Sequence, residues 1–323
     1  MKTFFAAAMA AASSAKLLTN ADYKFLEFVV EYGKNYATSE EFEARKEHFK
    51  NFFAAVQEIN SDPEMKHTAG INAHSANTPE EWDRMLGLKN MPAPELHGGQ
   101  HEVLMASPSS VDWRTSGDVT AVKDQGNCGS CWAFSSTEAL ESANSIFHGS
   151  LPQLSEQQLV DCSGSFNNGG CNGGWYYWSY DYLASGKSLE TESQYPYTAR
   201  DGTCKNSSGS GNVSATGYNE VSGTSTAIKS AIAQQPVNVA VAAGNYYFQS
   251  YSGGILMASG CPTRIDHAIV AVGYGNSNGT DYYIVRNSWG TSWGDKGYIM
   301  MEATSSGKGT CGINQNVAYP TGV

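Results

Sequence analysis

Residues 125–132 read Gln125-Gly126-Asn127-Cys128-Gly129-Ser130-Cys131-Trp132, a glycine-containing loop that runs directly into a segment with apolar residues at helical spacing. No Pro or Gly follows before Gly149, so a helix is predicted to begin at Cys131. The first turn of a helix has free N–H groups and a partial positive charge, and both favour a thiolate over a thiol. Cys131 is therefore either a reactive nucleophile or half of a disulfide.

The cysteine count bears on this choice. Residues 1–15 contain a lysine, a short apolar run and a small-residue exit, which is typical of a secretory signal peptide and predicts an oxidising compartment. The chain has seven cysteines, so three disulfides would leave one thiol unpaired. Three glycosylation sequons, at Asn206, Asn212 and Asn278, agree with the same route.

Composition excludes several functions. The chain has 323 residues, is 41% apolar and carries a net charge of −11, so it can bury a large core and hold two domains. It has no basic patch, which argues against nucleic acid as a partner, and no apolar run long enough to span a membrane. Zinc bound by Cys128 and Cys131 would need a second such pair, so neither a metal nor a cofactor is predicted.

The chain divides near residue 107, because five of the seven histidines precede this point and all seven cysteines follow it. Residues 20–32 and 40–60 are predicted helices, the first capped by Asp22 and ended by Gly33. Residues from about 61 to 106 are rich in Pro, Gly and His, which is the composition of a linker. The break predicts two units, the first being a pro-segment that is cut away.

Beyond residue 107, the first half of the chain is predicted to be helical and the second half to be β. Helices are expected at 156–162, capped by Ser155, and at 176–183, after the helix that begins at Cys131. Strands are expected at 236–241, 268–275, 282–287 and 297–301. This division indicates an α+β protein with a cleft between two lobes.

A thiol nucleophile needs a base that takes its proton. Only two histidines follow residue 107. His148 would lie about 25 Å from Cys131 at the far end of the same helix, because each helical residue rises about 1.5 Å. The base is therefore predicted to be His267, at the start of a strand.

Three further side chains complete a possible catalytic set. Asn287, at the end of the adjacent predicted strand, would orient the imidazole, and Trp289 would shield that bond from water. Gln125, together with the N–H of Cys131, would stabilise the oxyanion of a tetrahedral intermediate. Each residue taken alone has a plain structural alternative: a strand-end histidine, a turn amide or a core tryptophan. They support one another because they accompany an unpaired cysteine at a helix start.

The quoted loop resembles the active-site sequence of the papain family of cysteine proteases, in which His and Asn follow more than a hundred residues downstream. Asp266-His267-Ala268 and Asn287-Ser288-Trp289-Gly290 resemble the histidine and asparagine motifs of that family. Val111-Asp112-Trp113-Arg114 resembles the start of the mature enzyme, and Gly170-Cys171-Asn172-Gly173-Gly174 resembles the turn that lines its substrate cleft. The match extends from about residue 107 to the end.

The resemblance implies a two-lobed papain-like fold, with a helical left lobe, a β-barrel-like right lobe and the active site between them, preceded by a helical pro-segment. It implies that Cys131 is the nucleophile, His267 the base and later the acid, Asn287 the orienting group and Gln125 the oxyanion donor. It also implies the disulfides Cys128–Cys171, Cys162–Cys204 and Cys261–Cys311, whereas the spacing alone leaves fifteen pairings open.

By the same resemblance, backbone groups of Gly173 and Gly174 would pair with an extended substrate. Further substrate contacts are implied for Trp175, Tyr176, Ala240, Ile265, Asp266, Trp289 and Asn316. The apolar members predict a pocket for a hydrophobic or aromatic P2 residue, and the uncharged Asn316 argues against arginine there. No histidine-bearing insertion follows Cys204, which favours an endopeptidase over a carboxypeptidase.

The pro-segment resembles that of cathepsin L-like enzymes, with Glu41, Arg45, Phe49, Val56 and Asn60 on the spacing of the pro-helix signature. This chain departs from the pattern at Phe52, where the family has Asn, and at His74 and Ala76, where it has Phe and Asp. One hypothesis is that His74, with His67, His97 and His101, loosens the pro-segment as it protonates. The alternative is that these histidines lie in a solvated linker.

The resulting prediction is a cysteine endopeptidase zymogen of the secretory pathway, destined for a lysosome or vacuole or for the exterior. Residues 1–15 would be the signal peptide, residues 16–106 the inhibitory pro-segment and residues 107–323 the mature part. Expected partners are peptide and protein substrates, the pro-segment itself and cystatin-like inhibitors, and the enzyme would be a monomer. Two alternatives stay open: a secreted binding or storage protein, and a thiol acyltransferase with an amine acceptor.

Overall fold

A computed structural model describes residues 18–104, 106–206 and 208–323, and the predicted signal peptide lies outside the described residues. In the pro-segment, two long helices are followed by short elements: α1 (Asn20–Glu31), α2 (Ser39–Ser61), β1 (His67–Ala69), α3 (Pro79–Met85) and β2 (Gly99–Gln100).

The predicted mature part, residues 107–323, begins with β3 (Val111–Asp112) and the one-turn helix α4 (Trp113–Ser116). Its other helices are α5 (Cys131–His148), α6 (Glu156–Cys162), α7 (Tyr176–Ala184), α8 (Ser225–Ile232) and α9 (Tyr246–Gln249). Its other strands are β4 (Gly217–Glu220), β5 (Val237–Val241), β6 (Tyr251–Leu256), β7 (His267–Ser277), β8 (Thr280–Arg286), β9 (Tyr298–Glu302) and β10 (Val317–Thr321).

The first helix starts earlier than its sequence suggests. Thr19 is the N-cap, and Asp22 is the third helical residue, whose carboxylate accepts from the Thr19 backbone N–H while Thr19 accepts from the Asp22 N–H. This capping box satisfies two free N–H groups, so the prediction that Asp22 itself is the cap was wrong. The helix then crosses α2 through a cluster of aromatic residues: Phe25, Phe28, Phe49 and, at its edge, Phe42 and Phe53.

The region after α2 is ordered, so its interpretation as a linker was wrong. The Asn60 side chain donates to the Ala69 carbonyl (2.8 Å) and accepts from the Ala69 N–H (2.9 Å), which fastens β1 to the end of α2. Thr78 caps α3, and Arg45 on α2 forms a bidentate ion pair with Glu81 on α3. These contacts link residues that are distant in sequence, so the local hydrophobic periodicity does not predict them.

The left lobe is helical, as predicted. Helix α5 begins at Cys131 and ends before Gly149, whose φ of 69° is the left-handed conformation that glycine adopts without strain. Ser155 caps α6, and α7 follows the glycine-rich turn. Two disulfides, Cys128–Cys171 and Cys162–Cys204, lie in this lobe, and Cys261–Cys311 lies in the other lobe, so all three implied pairings are present.

The right lobe is built on the sheet. Within the described residues ten strands form one sheet, in the order β1-β6-β9-β8-β7-β5-β10-β4-β2, with β3 pairing β7 beside this path. The predicted papain-like fold is confirmed, but the order has two ends, so the sheet is not closed into a barrel. Strand β7 is buried over most of its length between neighbours β5 and β8.

Both ends of this sheet are strands of the pro-segment. Strand β1 pairs antiparallel with β6 at one end, and β2 pairs parallel with β4 at the other. An edge strand presents unpaired N–H and C=O groups, and here the pro-segment satisfies them on both sides. The pro-segment therefore holds the mature part at two distant places in addition to the cleft.

The two lobes meet along α5 and β7. Ser135 on α5 donates to the Ile269 carbonyl (3.1 Å), and Asn238 on β5 donates to the Ser135 carbonyl (2.7 Å). Deeper in the same interface, Glu138 on α5 lies 3.3 Å from Arg286 on β8, and both are almost fully buried. In the described part of the chain, no helix has the length and apolar character needed to cross a bilayer.

Candidate active site

Cys131 lies at the first position of α5 and is the cysteine left free by the three disulfides. Its sulfur is fully buried and accepts a 3.5 Å hydrogen bond from the Ala268 N–H on β7. The helix start and the strand start therefore meet at the sulfur, one from each lobe. The sequence-based prediction of an unpaired cysteine at a helix N-terminus is confirmed.

His267 begins β7 and is fully buried. Its Nε2 lies 2.8 Å from Oδ1 of Asn287, which follows the last residue of β8. The same Oδ1 accepts from the Ser288 N–H (2.8 Å), which identifies it as the oxygen, so Nε2 must carry the proton. The indole of Trp289 covers the imidazole at 4.8 Å between ring centres, so the predicted shield is in place.

Gln125 is buried and is the first residue of the loop that precedes α5. Its side-chain oxygen accepts from the Ser288 hydroxyl (2.7 Å), and its backbone N–H donates to the Ser288 carbonyl (2.8 Å). This leaves the side-chain N–H group of Gln125 directed at carbonyl oxygens, those of Cys128 (2.8 Å) and Met85 (3.0 Å). Ser288 was missed as a supporting residue, because a serine beside Asn287 carries no signal of its own.

The pro-segment lies across the cysteine. Gly87 is the residue that passes the sulfur, and a side chain there would place Cβ only 2.1 Å from the Gly129 carbonyl oxygen and 3.0 Å from the Cys131 sulfur. On either side the chain is held by backbone bonds: the Gly174 N–H donates to the Gly87 carbonyl (3.3 Å), and the Leu88 N–H donates to the Asp266 carbonyl (2.9 Å). The cleft is therefore filled by pro-segment backbone, which forms turns over residues 87–90.

Four of the residues implied to bind substrate lie in one apolar cluster with a pro-segment side chain, whereas Trp289 belongs to the cluster of the right lobe. Leu88 is 3% exposed and belongs to the same apolar cluster as Trp175, Tyr176, Ala240 and, at its edge, Ile265. The Tyr176 hydroxyl donates to the backbone carbonyl of Asn316 (2.9 Å), which brings these two implied residues together. Trp175 donates to the Pro92 carbonyl (2.9 Å), and a Cβ on Gly173 would lie 2.2 Å from the Gly87 oxygen.

Burial governs the charges at this site. It raises the pKa of the Cys131 thiol to about 11, although the backbone N–H groups of Ala268, Gly87 and Trp132 favour the thiolate. It lowers the pKa of His267 to about 4. In this form, burial therefore disfavours the charged state of both groups and opposes the effect of the helix N-terminus on the thiol. The physical reason is that the pro-segment keeps water from both groups, and desolvation outweighs the helix N-terminus.

Two of the pro-segment histidines, His67 and His74, do not lie in a solvated linker. His67 is 4% exposed, stacks near Tyr251, and forms no hydrogen bond through either ring nitrogen within the described residues. His74 contacts the indole of Trp82 and lies 3.2 Å from the carbonyl oxygen of Trp289. Burial lowers the pKa of both histidines.

The other two histidines lie near the end of the pro-segment. His97 contacts the carboxylate of Asp181 (2.9 Å), and both ring nitrogens of His101 bond to hydroxyl groups of the mature part.

Sequence reasoning missed the pro-segment residues that fill the cleft. Met85 is the last residue of α3, and Gly87 and Leu88 follow it. The start of this helix carries a local signal: Thr78-Pro79-Glu80-Glu81 has an N-cap threonine, proline at the first helical position and a capping-box glutamate. Recognition of that signal would have placed an ordered element in the presumed linker. It would not have shown which residues reach the sulfur, because this depends on tertiary contacts.

Comparison with known proteins agrees with this arrangement. Residues 107–321 match the profile described as papain family cysteine protease, and residues 25–82 match the cathepsin propeptide inhibitor domain. Digestive cysteine proteinase 1 of Homarus americanus is 40% identical over 314 residues, covering 94% of this chain and 96% of that protein.

Two solved proforms have the same architecture. The digestive procathepsin L2 proteinase of Tenebrio molitor larval midgut is 35% identical, with a TM-score of 0.85, covering 93% of this chain and 99% of that one. The recombinant stem bromelain precursor is 36% identical, with a TM-score of 0.81 and coverages of 93% and 98%. The chain therefore belongs to the papain family of cysteine proteases and is a cathepsin L-like zymogen whose pro-segment is an intramolecular inhibitor.

Proposed function

We propose that the mature part is an endopeptidase that cleaves peptide bonds through an acyl-thioester, with Cys131 as nucleophile, His267 as base and then acid, and Asn287 as orienting group. The observation that carries the proposal is the 2.8 Å bond between His267 Nε2 and Asn287 Oδ1 beside an unpaired cysteine. This bond keeps the proton on Nε2, so Nδ1 is the nitrogen available to the thiol.

In the proposed reaction, His267 takes the proton of Cys131 and the sulfur attacks the carbonyl carbon of the substrate. The carbonyl π electrons move to the oxygen, where N–H groups of Gln125 and Cys131 stabilise the negative charge. The C–N bond then breaks, and the amine leaves with the proton that His267 returns. Water adds to the thioester, gives its proton to His267, and releases the acid as the sulfur departs.

The proposed substrate preference rests on Leu88. Because this leucine is buried in the same apolar cluster as Trp175, Tyr176 and Ala240, the pocket suits a hydrophobic P2 residue. The Tyr176 ring reaches across to the Asn316 carbonyl, which limits the depth. Among hydrophobic P2 residues, we therefore propose that aliphatic ones of leucine size are preferred over the aromatic ones that the sequence also suggested. No carboxylate lies among these lining residues, so arginine at P2 is disfavoured.

The proposed processing and localisation of the chain follow the secretory pathway. Zymogens of this family with this propeptide are typically lysosomal or secreted. We propose that residues 1–15 are removed as a signal peptide and that the chain is later cut near Ala106-Ser107 to give a monomeric enzyme open to cystatin-like inhibitors. Among the sequon asparagines, Asn212 and Asn278 are exposed, whereas the side-chain amide of Asn206 donates to the Ser210 carbonyl (2.6 Å). We therefore propose Asn212 and Asn278 as the better glycan acceptors.

Release of the pro-segment is proposed to be acid-driven through His67 and His74. A protonated His67 would be a charge without a partner against Tyr247 and Tyr251. The charged groups that act on His74 are Asp124 and Glu81, which favour protonation, and Lys34, which opposes it. Burial is the largest influence on both rings, so protonation favours the undocked state, where the rings are solvated.

The test is acidification of the purified zymogen in the presence of a peptide with leucine at P2, beside a Cys131→Ser zymogen. We expect processing and turnover in the first and neither in the second. Turnover by the Cys131→Ser chain would overturn the assignment of the nucleophile. Turnover by an unprocessed wild-type chain would overturn the inhibitory role of the contact with Gly87.

A further inference from the structure

We propose that the mature part carries a second peptide-binding site, outside the cleft, which retains pro-segment residues 97–104 after the chain has been cut near Ser107. We call it the edge site; it is formed by Asp181, Tyr218, Glu220, Ser230 and Tyr319. The inference rests on the proposed cleavage position, and it concerns a surface that takes no part in peptide hydrolysis.

The first observation is the backbone pairing at the sheet edge. Strand β2 pairs in parallel with β4, with Gly99 opposite Asn219, and the His101 N–H donates to the Glu220 carbonyl (2.8 Å). A Cβ on Gly98 would lie 2.4 Å from the ring of Tyr218, and one on Gly99 would lie 2.3 Å from the Asn219 amide oxygen. The edge site therefore accepts an extended segment with two consecutive glycines, as in β-strand addition.

The second observation is the pair of hydrogen bonds that hold the His101 ring. Its Nδ1 lies 2.9 Å from the Tyr319 hydroxyl, and its Nε2 lies 2.9 Å from the Ser230 hydroxyl. Ser230 is fully buried and also accepts from the Leu104 N–H (2.8 Å). Both ring nitrogens of this side chain hydrogen-bond to hydroxyl groups, one of them buried. The ring is therefore held in one specific orientation.

The third observation is at the other end of the segment. The His97 N–H donates to the Tyr218 hydroxyl (3.2 Å), its ring meets the Tyr218 ring edge-on, and its Nε2 lies 2.9 Å from the Asp181 carboxylate. The segment His97-Gly98-Gly99-Gln100-His101 is thus fixed at its two histidines, with the glycines between them. The Asp181 contact is largely exposed and contributes less than the buried seat of His101.

The edge site is separate from the cleft. The cleft is filled by residues 85–92, whereas the edge site holds residues 97–104, and both lie before the proposed cut. A cut pro-segment therefore keeps both contacts on one chain. Two linked contacts dissociate more slowly than either alone, because the second rebinds at a high effective concentration. The edge site would delay the loss of the inhibitor after the peptide bond is broken.

The test uses a preparation that does not depend on the enzyme's own activity. A Cys131→Ser chain is cut near Ser107 by an added protease and freed of its pro-segment. A fluorescein-labelled peptide of residues 95–106, which lacks the cleft-filling residues, is titrated into it and its anisotropy is followed. We expect saturable binding, weakened about tenfold or more when the peptide carries Gly99→Val or His101→Ala. A Glu102→Gln peptide is the matched control and should bind as the parent does.

A second measurement uses the full chain. With His101→Ala, the pro-segment should leave about tenfold faster after cleavage, while the kcat of the processed enzyme stays unchanged. Absence of peptide binding would overturn the edge site, and so would equal binding of the parent and Gly99→Val peptides. Failure of the catalytic proposal would instead appear as lack of turnover by the wild-type chain, with peptide binding intact.

Discussion

The side-chain N–H of Gln125 donates a 3.0 Å hydrogen bond to the carbonyl oxygen of Met85, so an oxyanion donor proposed for catalysis is already bonded to a carbonyl of the inhibitor. Two residues further along the same backbone, a Cβ on Gly87 would lie 3.0 Å from the Cys131 sulfur. Inhibition and the proposed catalysis would thus use the same donor, and we expect a substitution at Gln125 to affect both.

Gln125→Ala should lower the kcat for a peptide substrate about 10²-fold or more with little change in KM, because the lost bond strengthens as the oxyanion forms. Steady-state kinetics of the processed enzyme measure this, with Gln153→Ala, an exposed glutamine in the same lobe, as the control. A rise in KM with kcat unchanged would show that Gln125 binds the substrate in its ground state only.

Cys131 should be nearly inert to alkylation in the zymogen. With the pKa of its thiol raised to about 11 by burial, about one molecule in a thousand carries the thiolate at pH 8. Intact mass spectrometry after iodoacetamide treatment should show a rate at least about 100-fold below that of the processed enzyme. The urea-unfolded zymogen serves as the control. Equal rates in zymogen and processed enzyme would contradict protection by the pro-segment.

The pH at which the zymogen activates should fall when the buried histidines are removed. Burial lowers the pKa of His67 and His74 in the docked state, so docking stability is complete above the undocked pKa of about 6.5 and is lost as pH falls below it. Replacement of either ring by Phe removes this loss. His67→Phe and His74→Phe should therefore shift the midpoint of processing to lower pH, by about half a unit or more.

The control for the histidine variants is His148→Gln, at the far end of α5, where Nε2 contacts the Val323 carbonyl. It should process as the wild-type chain does. Processing rates at about pH 4.5 and pH 6.5 give the comparison. If His74→Phe and the wild-type chain processed at the same rates at both pH values, His74 would have no part in the trigger.

Tyr176 should set the size of the preferred P2 residue. Tyr176→Leu removes the ring that reaches the Asn316 carbonyl, and we expect the ratio of kcat/KM for phenylalanine over leucine at P2 to rise about tenfold. Tyr176→Phe keeps the ring and removes only the hydroxyl, so it should retain the wild-type order. An unchanged ratio in Tyr176→Leu would mean that another residue limits the pocket.

The buried pair of Glu138 and Arg286 should show strong coupling. Burial raises the pKa of Glu138 to about 8, although the cations of Arg286 and Lys123 oppose this. Arg286→Met removes one of these cations and leaves a buried carboxyl group that can take up a proton, so it should lower the free energy of unfolding by about 1–3 kcal/mol, whereas Glu138→Leu with Arg286→Met should recover most of it. Urea unfolding of the zymogen measures both. Equal losses in the single and double variants would show that the Arg286 bonds to Thr120 and Ala121 matter more than the ion pair.

Local patterns predicted the parts of the site that depend on local structure. The loop before Cys131 has the glycines of a tight turn, the helix after it has clear periodicity, and His267 starts a strand of continuous apolar residues. These features place a thiol and an imidazole at the ends of two elements. The family resemblance then supplied the pairing of the lobes, which no local pattern contains.

Other features depend on contacts between distant residues. Strand β1 is three residues long and exists because Asn60 and β6 hold it, so periodicity does not reveal it. The ordinary helix argument predicted a thiolate at Cys131, but the pro-segment backbone at Gly87 excludes water and reverses the balance. The sheet was expected to resemble a barrel, and its open order became evident only from the strand pairing.

The open sheet has a consequence for how the enzyme must be made. Once β1 and β2 are removed, β6 and β4 become unpaired edge strands. A partly folded chain could then pair with another chain along either of these strands. Refolding residues 107–323 from denaturant should therefore give a lower yield, falling with protein concentration, than refolding the whole zymogen. The structure thus favours removal of the pro-segment only after the sheet has formed, because an unfolded chain is the one most exposed to pairing at these edges.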